Sequence, residues 1–481
     1  MSRGRKRNSI PRIAFVGLAI IIQIVWLIVM AVKLNAHSAW ISACVNLLSI
    51  VVVLRLYGRH TSTAMKMPWI MLILAAPVMG LSLFLLFDIL GDPGRAGKRI
   101  RRFREKIEGS LSQNEAVLAR LESENRAAGN QFHYLSVHEN WPVYENTSVR
   151  YFGDGAETLE AMKADLEKAE KFIFMEYFIV EEGIMWDTIL EILKRKVNEG
   201  VEVRFMYDGM CAFDLLPYSY PKKLQKFGIK CKMSNKIRPF VSTIQNNRDH
   251  RKICVIDGQT GYVGGVNLAD EYINEKERFG HWKDTAVLLR GDAVQSLTMI
   301  FLQMWDVDMH GVEPYGKYLT KKAESLNDRL GYVIPYADSP FDHENVGEEV
   351  YFHILNHAKK YVHIMTPYLI LDNEMLTTLI RAAKSGIEVI IIMPHIPDKI
   401  YAYLLARTYY KQLLKYGVKI YEYTPGFVHA KQILTEDAAI VGTINMDYRS
   451  YYLHYENGIW MSGEQIQEDI RIQLIRLIHL L

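Results

Sequence analysis

The chain has 481 residues, 49% of them hydrophobic, and a formal net charge of +3. That is more chain than one domain usually holds, and it is too nearly neutral for bulk charge to mark a nucleic-acid binder. Its four cysteines (Cys44, Cys211, Cys231, Cys254) form no CxxC pair and have no histidine at metal-ligand spacing. They read as small buried hydrophobes, not as a disulfide framework.

Much of the apolar content lies at the N-terminus. Arg3, Arg5, Lys6, Arg7 and Arg12 precede Ile13–Val32, an uncharged run long enough to cross a bilayer. Its apolar core is too long for a signal peptide and no small-residue cleavage site follows, so an uncleaved membrane helix is expected. Ala39–Leu54 is a shorter uncharged run. Met67–Phe87 is a third, containing Pro77 and Gly80, which membrane helices tolerate. A second basic cluster follows: Arg95, Lys98, Arg99, Arg101, Arg102, Arg104 and Lys106. The positive-inside rule puts both basic flanks in the cytoplasm, whereas three crossings would separate them. One apolar run is then re-entrant or interfacial, or the second cluster lies on anionic headgroups; a plain solvated helix face is the alternative. The expectation is a multi-pass cell-membrane protein with its larger part facing the cytoplasm. Residues 1–90 form the membrane region and 91–143 a basic helical linker.

The composition then becomes that of an α/β protein. "KFIFMEYFIV" (Lys171–Val180) is a buried-strand pattern, "MWDTILEILKRKVNEG" is helical and stops at Gly200, and "VEVRFMYD" is the next strand. From Lys360 the order repeats: "KYVHIMTPYLI", then "NEMLTTLIRAAKSG" ending at Gly386, then "IEVIIIMPH". Strands alternating with helices predict mixed sheets flanked by helices, here as two α/β halves, 144–325 and 326–481.

Each half carries one copy of a second pattern. From Asp249 the chain reads "DHRKICVIDGQTGYVGGVNLADEY", and from Phe427 "FVHAKQILTEDAAIVGTINMDYRS". Strand side chains alternate, so His250 shares a face with Lys252 and His429 with Lys431. Each strand reverses and returns through glycine to Asn267 or Asn445. Two halves facing each other across a pseudo-two-fold axis would bring two histidines, two lysines and two amides to one cavity. Ammonium and amide donors suit a phosphate. One histidine can attack phosphorus while the other passes a proton to the leaving alkoxide and takes one from the incoming group. Nothing in this set calls for a metal or another cofactor.

These residues resemble the phospholipase D superfamily motif, H-x-K-x(4)-D followed by a Gly-rich x-N segment. His250, Lys252 and Asp257 match it in full, with Gly264, Gly265 and Asn267 behind them. The fragments "YVGGVNLADEY", "HWKDT", "MTPYLI", "YEYTPGFVHAK" and "GTINMDYRSYYLHYEN" look like bacterial cardiolipin synthases. The resemblance implies a duplicated phospholipase D-like α/β fold behind a helical membrane region. It implies a catalytic set of His250, Lys252, Asp257, His429, Lys431 and, by position, Glu436. One histidine would become a phosphatidyl-histidine, and Lys252, Lys431, Asn267 and Asn445 would hold the phosphate. It further implies a carboxylate orienting each histidine: Glu456, 27 residues past His429, with Asp284 of "HWKDT" as counterpart. The implied reaction joins two phosphatidylglycerol molecules into cardiolipin and glycerol, with no nucleic-acid partner.

The second motif departs from the pattern, having Glu436, then Asp437, where the first has Asp257. Strand alternation places Asp257 and Glu436 off the His-Lys face, in the reversing turns "IDG" and "TED", where a turn-holding role is expected. Phe427 and Tyr423 line an acyl-chain entrance or belong to the core. The final stretch "EDIRIQLIRLIHLL" is amphipathic and packs on the core or touches lipid. Another phosphatidyltransferase, such as a phosphatidylserine synthase, or a phospholipase D hydrolase would use the same residues with a different acceptor. A tethered binding module with degenerate motifs fits less well, because both His-Lys pairs are intact. The metal-dependent class that uses CDP-diacylglycerol needs D-G-x-x-A-R, and "DGMCAF" at Asp208 lacks the arginine.

Overall fold

The computed structural model describes residues 39–59, 62–90, 97–98, 110–124, 126–236, 246–306, 315–319, 331–341 and 344–479, with scattered positions between 18 and 33. They form two units: Met1–Arg95 with Lys236–Asn247, and Ala96–Asn235 with Arg248–Leu481.

The first unit contains helices α1 (Ala39–Tyr57), α2 (Thr63–Ala75) and α3 (Pro77–Leu90). They share a small core of Leu56, Ile73, Leu81 and Phe84, while Leu47, Leu48, Ile50, Val51, Leu54, Met67, Met71 and Leu74 are exposed. The Met67–Phe87 run, expected as one helix, is two. Ala76 leaves the helical region at φ −140°, ψ 77°, because it precedes Pro77 and the proline ring crowds the α conformation. The two helices then fold together tightly. A Cβ on Gly80 would lie 2.5 Å from the Ile73 Cα, so only glycine permits the approach. At 13 and 14 residues each helix is about 20 Å long, short of a hydrocarbon core of about 30 Å. Among the described residues no helix is long and apolar enough to cross a membrane. The Ile13–Val32 run lies largely outside them, as does the second basic cluster apart from Lys98.

The second unit holds both α/β halves. The first half supplies β1 (Thr147–Phe152), β2 (Phe172–Tyr177), β3 (Glu202–Asp208), β4 (Lys230–Ser234), β5 (Lys252–Ile256), β6 (Thr260–Gly264), the short β7 (His281–Lys283) and β8 (Ala286–Gly291). Its seven-stranded sheet runs β1-β8-β6-β5-β2-β3-β4. The second half supplies β9 (Tyr332–Asp338), β10 (Tyr361–Met365), β11 (Leu369–Ile370), β12 (Glu388–Pro394), β13 (Lys419–Tyr423), β14 (Gly426–Val428), β15 (Gln432–Leu434), β16 (Ala439–Gly442), β17 (Met446–Asp447) and β18 (Glu456–Ser462). Its sheet runs β13-β12-β10-β15-β16-β18-β9, the same order read from the other end. In each, three strands are parallel (β2-β3-β4 and β10-β12-β13) and the remaining pairings are antiparallel. The repeat seen in the sequence is therefore a repeat of topology.

Helices cover the sheets as the spacing predicts. Helix α4 (Ile184–Asn198) buries Met185, Trp186, Ile189, Leu190 and Leu193, one stripe at helical period. It ends before Gly200, which takes φ +93°. Helix α5 (Val294–Asp306) is buried along nearly its whole length, and α6 (Asn373–Lys384) is capped by Asp372, whose side chain accepts from the Met375 amide. One continuous core joins Ile253, Val255 and Val263 of the first sheet to Ile433, Ile440 and Trp460 of the second. Residues expected as a linker also enter it: Val117, Leu121, Phe132 and Leu135 are buried there. The C-terminal helix Glu464–His479 packs on the core through Ile466, Ile470, Leu474 and Leu477. Phe427, 1% exposed and 4.8 Å from the Trp282 ring, is a core aromatic rather than an entrance. The cysteines are free; Cys211, Cys231 and Cys254 are buried as expected, whereas Cys44 is exposed.

Candidate active site

The two motifs meet because each half reaches into the other. The Arg248–His250 segment runs beside Tyr455: Tyr455 N donates to Arg248 O at 2.8 Å, and His250 N donates to Tyr455 O at 3.0 Å. In the pseudo-symmetric position β14 pairs in parallel with β7, and His429 N donates to Lys283 O at 2.7 Å. The residue after each accepting carbonyl carries a carboxylate, Glu456 in one case and Asp284 in the other. So His250 Nδ1 sits 2.9 and 3.0 Å from the two Glu456 oxygens, and His429 Nδ1 sits 2.7 Å from Asp284 Oδ2. Each carboxylate serves the histidine of the other half, 206 and 145 residues away. Position along the chain had associated Glu456 with His429; the fold gives it to His250.

Both carboxylates are held in turn. Glu456 accepts from the Thr443 hydroxyl at 2.5 Å, and Asp284 Oδ1 from the Thr285 amide at 2.9 Å. A Cβ on Gly265 would lie 1.9 Å from Asp284 Oδ1, which explains why the return strand needs glycine there. Aromatic rings fix the imidazoles: Phe178 lies edge-on 5.0 Å from His250, and Tyr272 5.3 Å from His429.

Burial sets the protonation. It pushes His250 well below the ordinary histidine range, more strongly than Glu456 pulls it back. Burial, helped by Lys431, pushes His429 down to about 4 against the pull of Asp284. Burial alone would raise the two carboxylates, but their histidines outweigh it and hold both below their usual range. The resting pairs are thus neutral imidazoles on ionised carboxylates. With each Nδ1–H donated to its carboxylate, each Nε2 carries a free lone pair.

Each motif lysine is buried against the backbone of its own histidine. Lys252 and Lys431 are 1% and 0% exposed, and each Nζ donates to the backbone carbonyl of its own motif's histidine. Burial lowers Lys252 to about 8 and Lys431 to about 7, the latter pushed further by the Lys252 charge. Asn267 accepts from the Ile179 amide at 3.0 Å and donates to the Tyr272 hydroxyl at 2.7 Å. The buried Asn445 Oδ1 has no hydrogen-bond partner among the described residues. Both asparagines and both histidines line one cavity of about 540 Å³, walled by Phe178, Tyr272, Phe279, Trp282, Tyr368 and Tyr448.

Asp257 and Glu436 do not join this set. Asp257 accepts from the Glu170, Lys171 and Phe172 amides at 2.7–2.8 Å. Glu436 takes the matching place, accepting from the Lys359 and Tyr361 amides. Both hold the turn after a motif strand against the start of the neighbouring strand, so neither touches the cavity.

Two residues were missed. Thr443 steadies Glu456, and His454 brings Nδ1 to 3.3 Å from Glu456 Oε1 and its ring to 5.2 Å from His250. His454 stands two residues before Glu456, a spacing that puts both on one face of an extended segment, so a signal was present. His250, His454 and Glu456 bring three potential metal-ligand atoms within 4.8 Å of one another, although Glu456 already bonds His250 and Thr443.

Residues 162–305 and 351–478 match the protein family described as the cardiolipin synthase, PLD-like domain. The chain belongs to the cardiolipin synthase family. A protein of Streptococcus mutans described as uncharacterized is 49% identical over 421 residues, 87% of this chain and 91% of that one. The cardiolipin synthase of Halalkalibacterium halodurans is 35% identical over 431 residues, 88% of this chain and 83% of that one. Cardiolipin synthase 2 of Bacillus cereus is 36% identical over 430 residues, 87% and 80% of the two chains. Among solved structures, phosphatidylserine synthase of Haemophilus influenzae superposes with a TM-score of 0.55 at 16% identity, over 72% of this chain and 90% of that one. That likeness is one of fold.

Proposed function

We propose that the protein is a cardiolipin synthase that transfers a phosphatidyl group from one phosphatidylglycerol to another through a phosphohistidine. The observation that carries the residue roles is the crossed arrangement: two neutral imidazoles, each on a buried carboxylate, open on one cavity, and a buried lysine donates to the backbone carbonyl of each. One Nε2 attacks the phosphorus of the first lipid, forming an N–P bond as the P–O bond to the glycerol headgroup breaks. The other histidine, protonated once the anionic phosphodiester is bound, gives its proton to the departing glycerol oxygen. It then takes a proton from the terminal hydroxyl of the second phosphatidylglycerol, whose oxygen displaces the first histidine and yields cardiolipin. Lys252, Lys431 and the two asparagine amides stabilise charge on the phosphoryl oxygens. Aromatic walls limit water and favour transfer over hydrolysis.

We also place the enzyme in the cell membrane. The exposed apolar side chains of α1, α2 and α3 support this, and the short α2–α3 hairpin suits the re-entrant alternative that keeps both basic flanks on the cytoplasmic side. Labelling of an engineered cysteine near Lys98 by an impermeant reagent on intact cells overturns that orientation. The reaction is tested by incubating the purified chain with phosphatidylglycerol alone, chelator present. Cardiolipin and glycerol are expected; phosphatidic acid as the sole product replaces the synthase with a hydrolase.

A further inference from the structure

Next to the cavity mouth lies helix α7 (Ile400–Lys415), "IYAYLLARTYYKQLLK". It buries Ala402, Ala406 and Leu413 on one side. The exposed surface of the helix carries Ile400, Tyr401, Leu404 and Leu405, then Arg407, Lys411, Leu414 and Lys415. The first four are 63%, 68%, 58% and 42% exposed, and Ile396 just before them is 37% exposed. Four large apolar residues open to solvent in two turns are unusual for a surface helix, which normally turns such residues inward.

We infer that this first half of α7 is a bilayer-docking surface of the catalytic unit, inserting into an anionic leaflet so that the cavity opens at the level of the lipid headgroups. The inference rests on the phosphatidyltransferase reading above, and three observations choose lipid as the occupant. The exposed face changes along its length: it is apolar in its first two turns, and in its last two it carries Arg407, Lys411 and Lys415 around a single exposed Leu414. That is how a helix tip sits when its apolar residues enter the acyl boundary and its cations meet phosphates. The helix holds no acidic residue, and Arg407, Lys411 and Lys415 have no acidic partner among the described residues, so this charge is left for an anionic surface. Finally, the patch is continuous with the site: Tyr401 and Ala402 line the cavity itself, together with Ile370 and Met210. The cavity lining thus runs through Tyr401 onto the exposed part of the helix, while Ile400 and Leu404 lie outside the cavity.

The test uses the full chain reconstituted in phosphatidylglycerol-containing vesicles. In a Cys44→Ser background, Leu404→Cys carries an environment-sensitive fluorophore. We expect a blue-shifted emission quenched by nitroxides on the acyl chains; emission typical of water, or excimers and cross-links to a second copy, overturns the inference. This readout needs no turnover, so it stands apart from the reaction assay. Turnover supplies the second arm. Ile400→Ser with Leu404→Ser is expected to lower the rate on vesicle-embedded phosphatidylglycerol at least about ten-fold, because two apolar anchors are lost. The rate on a short-chain phosphatidylglycerol dissolved as monomers should be unchanged. Equal loss on both substrates, or no loss on vesicles, overturns the docking role. If the unaltered chain turns over neither substrate, the reaction reading fails while the fluorescence still decides the surface.

Discussion

Glu456→Gln probes the crossed pairing most directly. The carboxylate accepts from two donors, His250 Nδ1 at 2.9 Å and Thr443 Oγ1 at 2.5 Å, and His454 Nδ1 lies 3.3 Å from it. An amide of the same shape keeps one acceptor and presents an NH₂ group where an acceptor stood. Hydrogen bonds to charged groups contribute about 1.5–3 kcal/mol against 0.5–1.5 for neutral pairs, so about 1–2 kcal/mol is lost when His250 must carry a proton. The NH₂ group also favours the other tautomer, with Nε2–H turned toward phosphorus, where it can neither attack nor accept. Together these amount to about 3–5 kcal/mol, or a drop in kcat of about 10²- to 10⁴-fold, with KM for phosphatidylglycerol little changed. The assay is cardiolipin formation in mixed micelles. Alongside it, ring signals of ¹⁵N-histidine protein should move for His250 and stay for His429, although His429 is the nearer of the two in sequence. A loss below about ten-fold, or a shift at His429 in place of His250, refutes the reasoning.

Lys431→Ala should cost about 10²-fold or more as loss of a transition-state donor, whereas Glu436→Asp should stay within a few-fold because that side chain holds only a turn; turnover at equal folded protein compares them. Gly265→Ala forces a methyl against Asp284 Oδ1 and should lower kcat about 10²-fold or more while the circular-dichroism spectrum stays native. Binding of a phosphate analogue such as vanadate should weaken as pH rises through 7 to 8. The anion favours charged lysines, while burial has lowered Lys431 to about 7 and Lys252 to about 8, so binding above that range must take up protons. Calorimetry in buffers of different ionisation enthalpy measures that uptake, and affinity independent of pH would contradict it. Gly80→Val should separate α2 from α3 and lower the yield of membrane-assembled protein, read by detergent-extracted yield against an unchanged Gly316→Ala control, where nothing lies within 4 Å of an added Cβ.

The duplicated fold was legible because both of its signals are local. The strand and helix periods around Lys171–Gly200 and Lys360–Gly386 repeat within short windows, and the His-x-Lys pairs sit at the head of the same strand in each. The turn role of Asp257 and Glu436 followed from alternation alone. What stayed hidden depended on single backbone angles or on distant pairing. The break at Ala76 was marked by Pro77, but an apolar run of membrane length outweighed it, since length carries no information on where a helix folds back. The segment around Val117 and Leu121 read as a linker because its apolar stripe is short and its flanks are charged, and only the tertiary packing it joins makes it core.

The exchange of carboxylates was hidden for a deeper reason, and it bears on why the chain carries the motif twice. Had Glu456 served His429, each half would hold a complete histidine–carboxylate pair, and two separate half-sites could exist. Instead His250 borrows its orienting group from β18, and His429 borrows its own from the residue after β7. The same two contacts include backbone bonds between the halves, His250 N to Tyr455 O and His429 N to Lys283 O. Docking and activation are therefore one event: a half folded without its partner leaves its histidine with neither a fixed tautomer nor a counter-charge. A reaction in which one imidazole must be nucleophile while another moves the proton gains from this arrangement, because neither imidazole is oriented until both are in place.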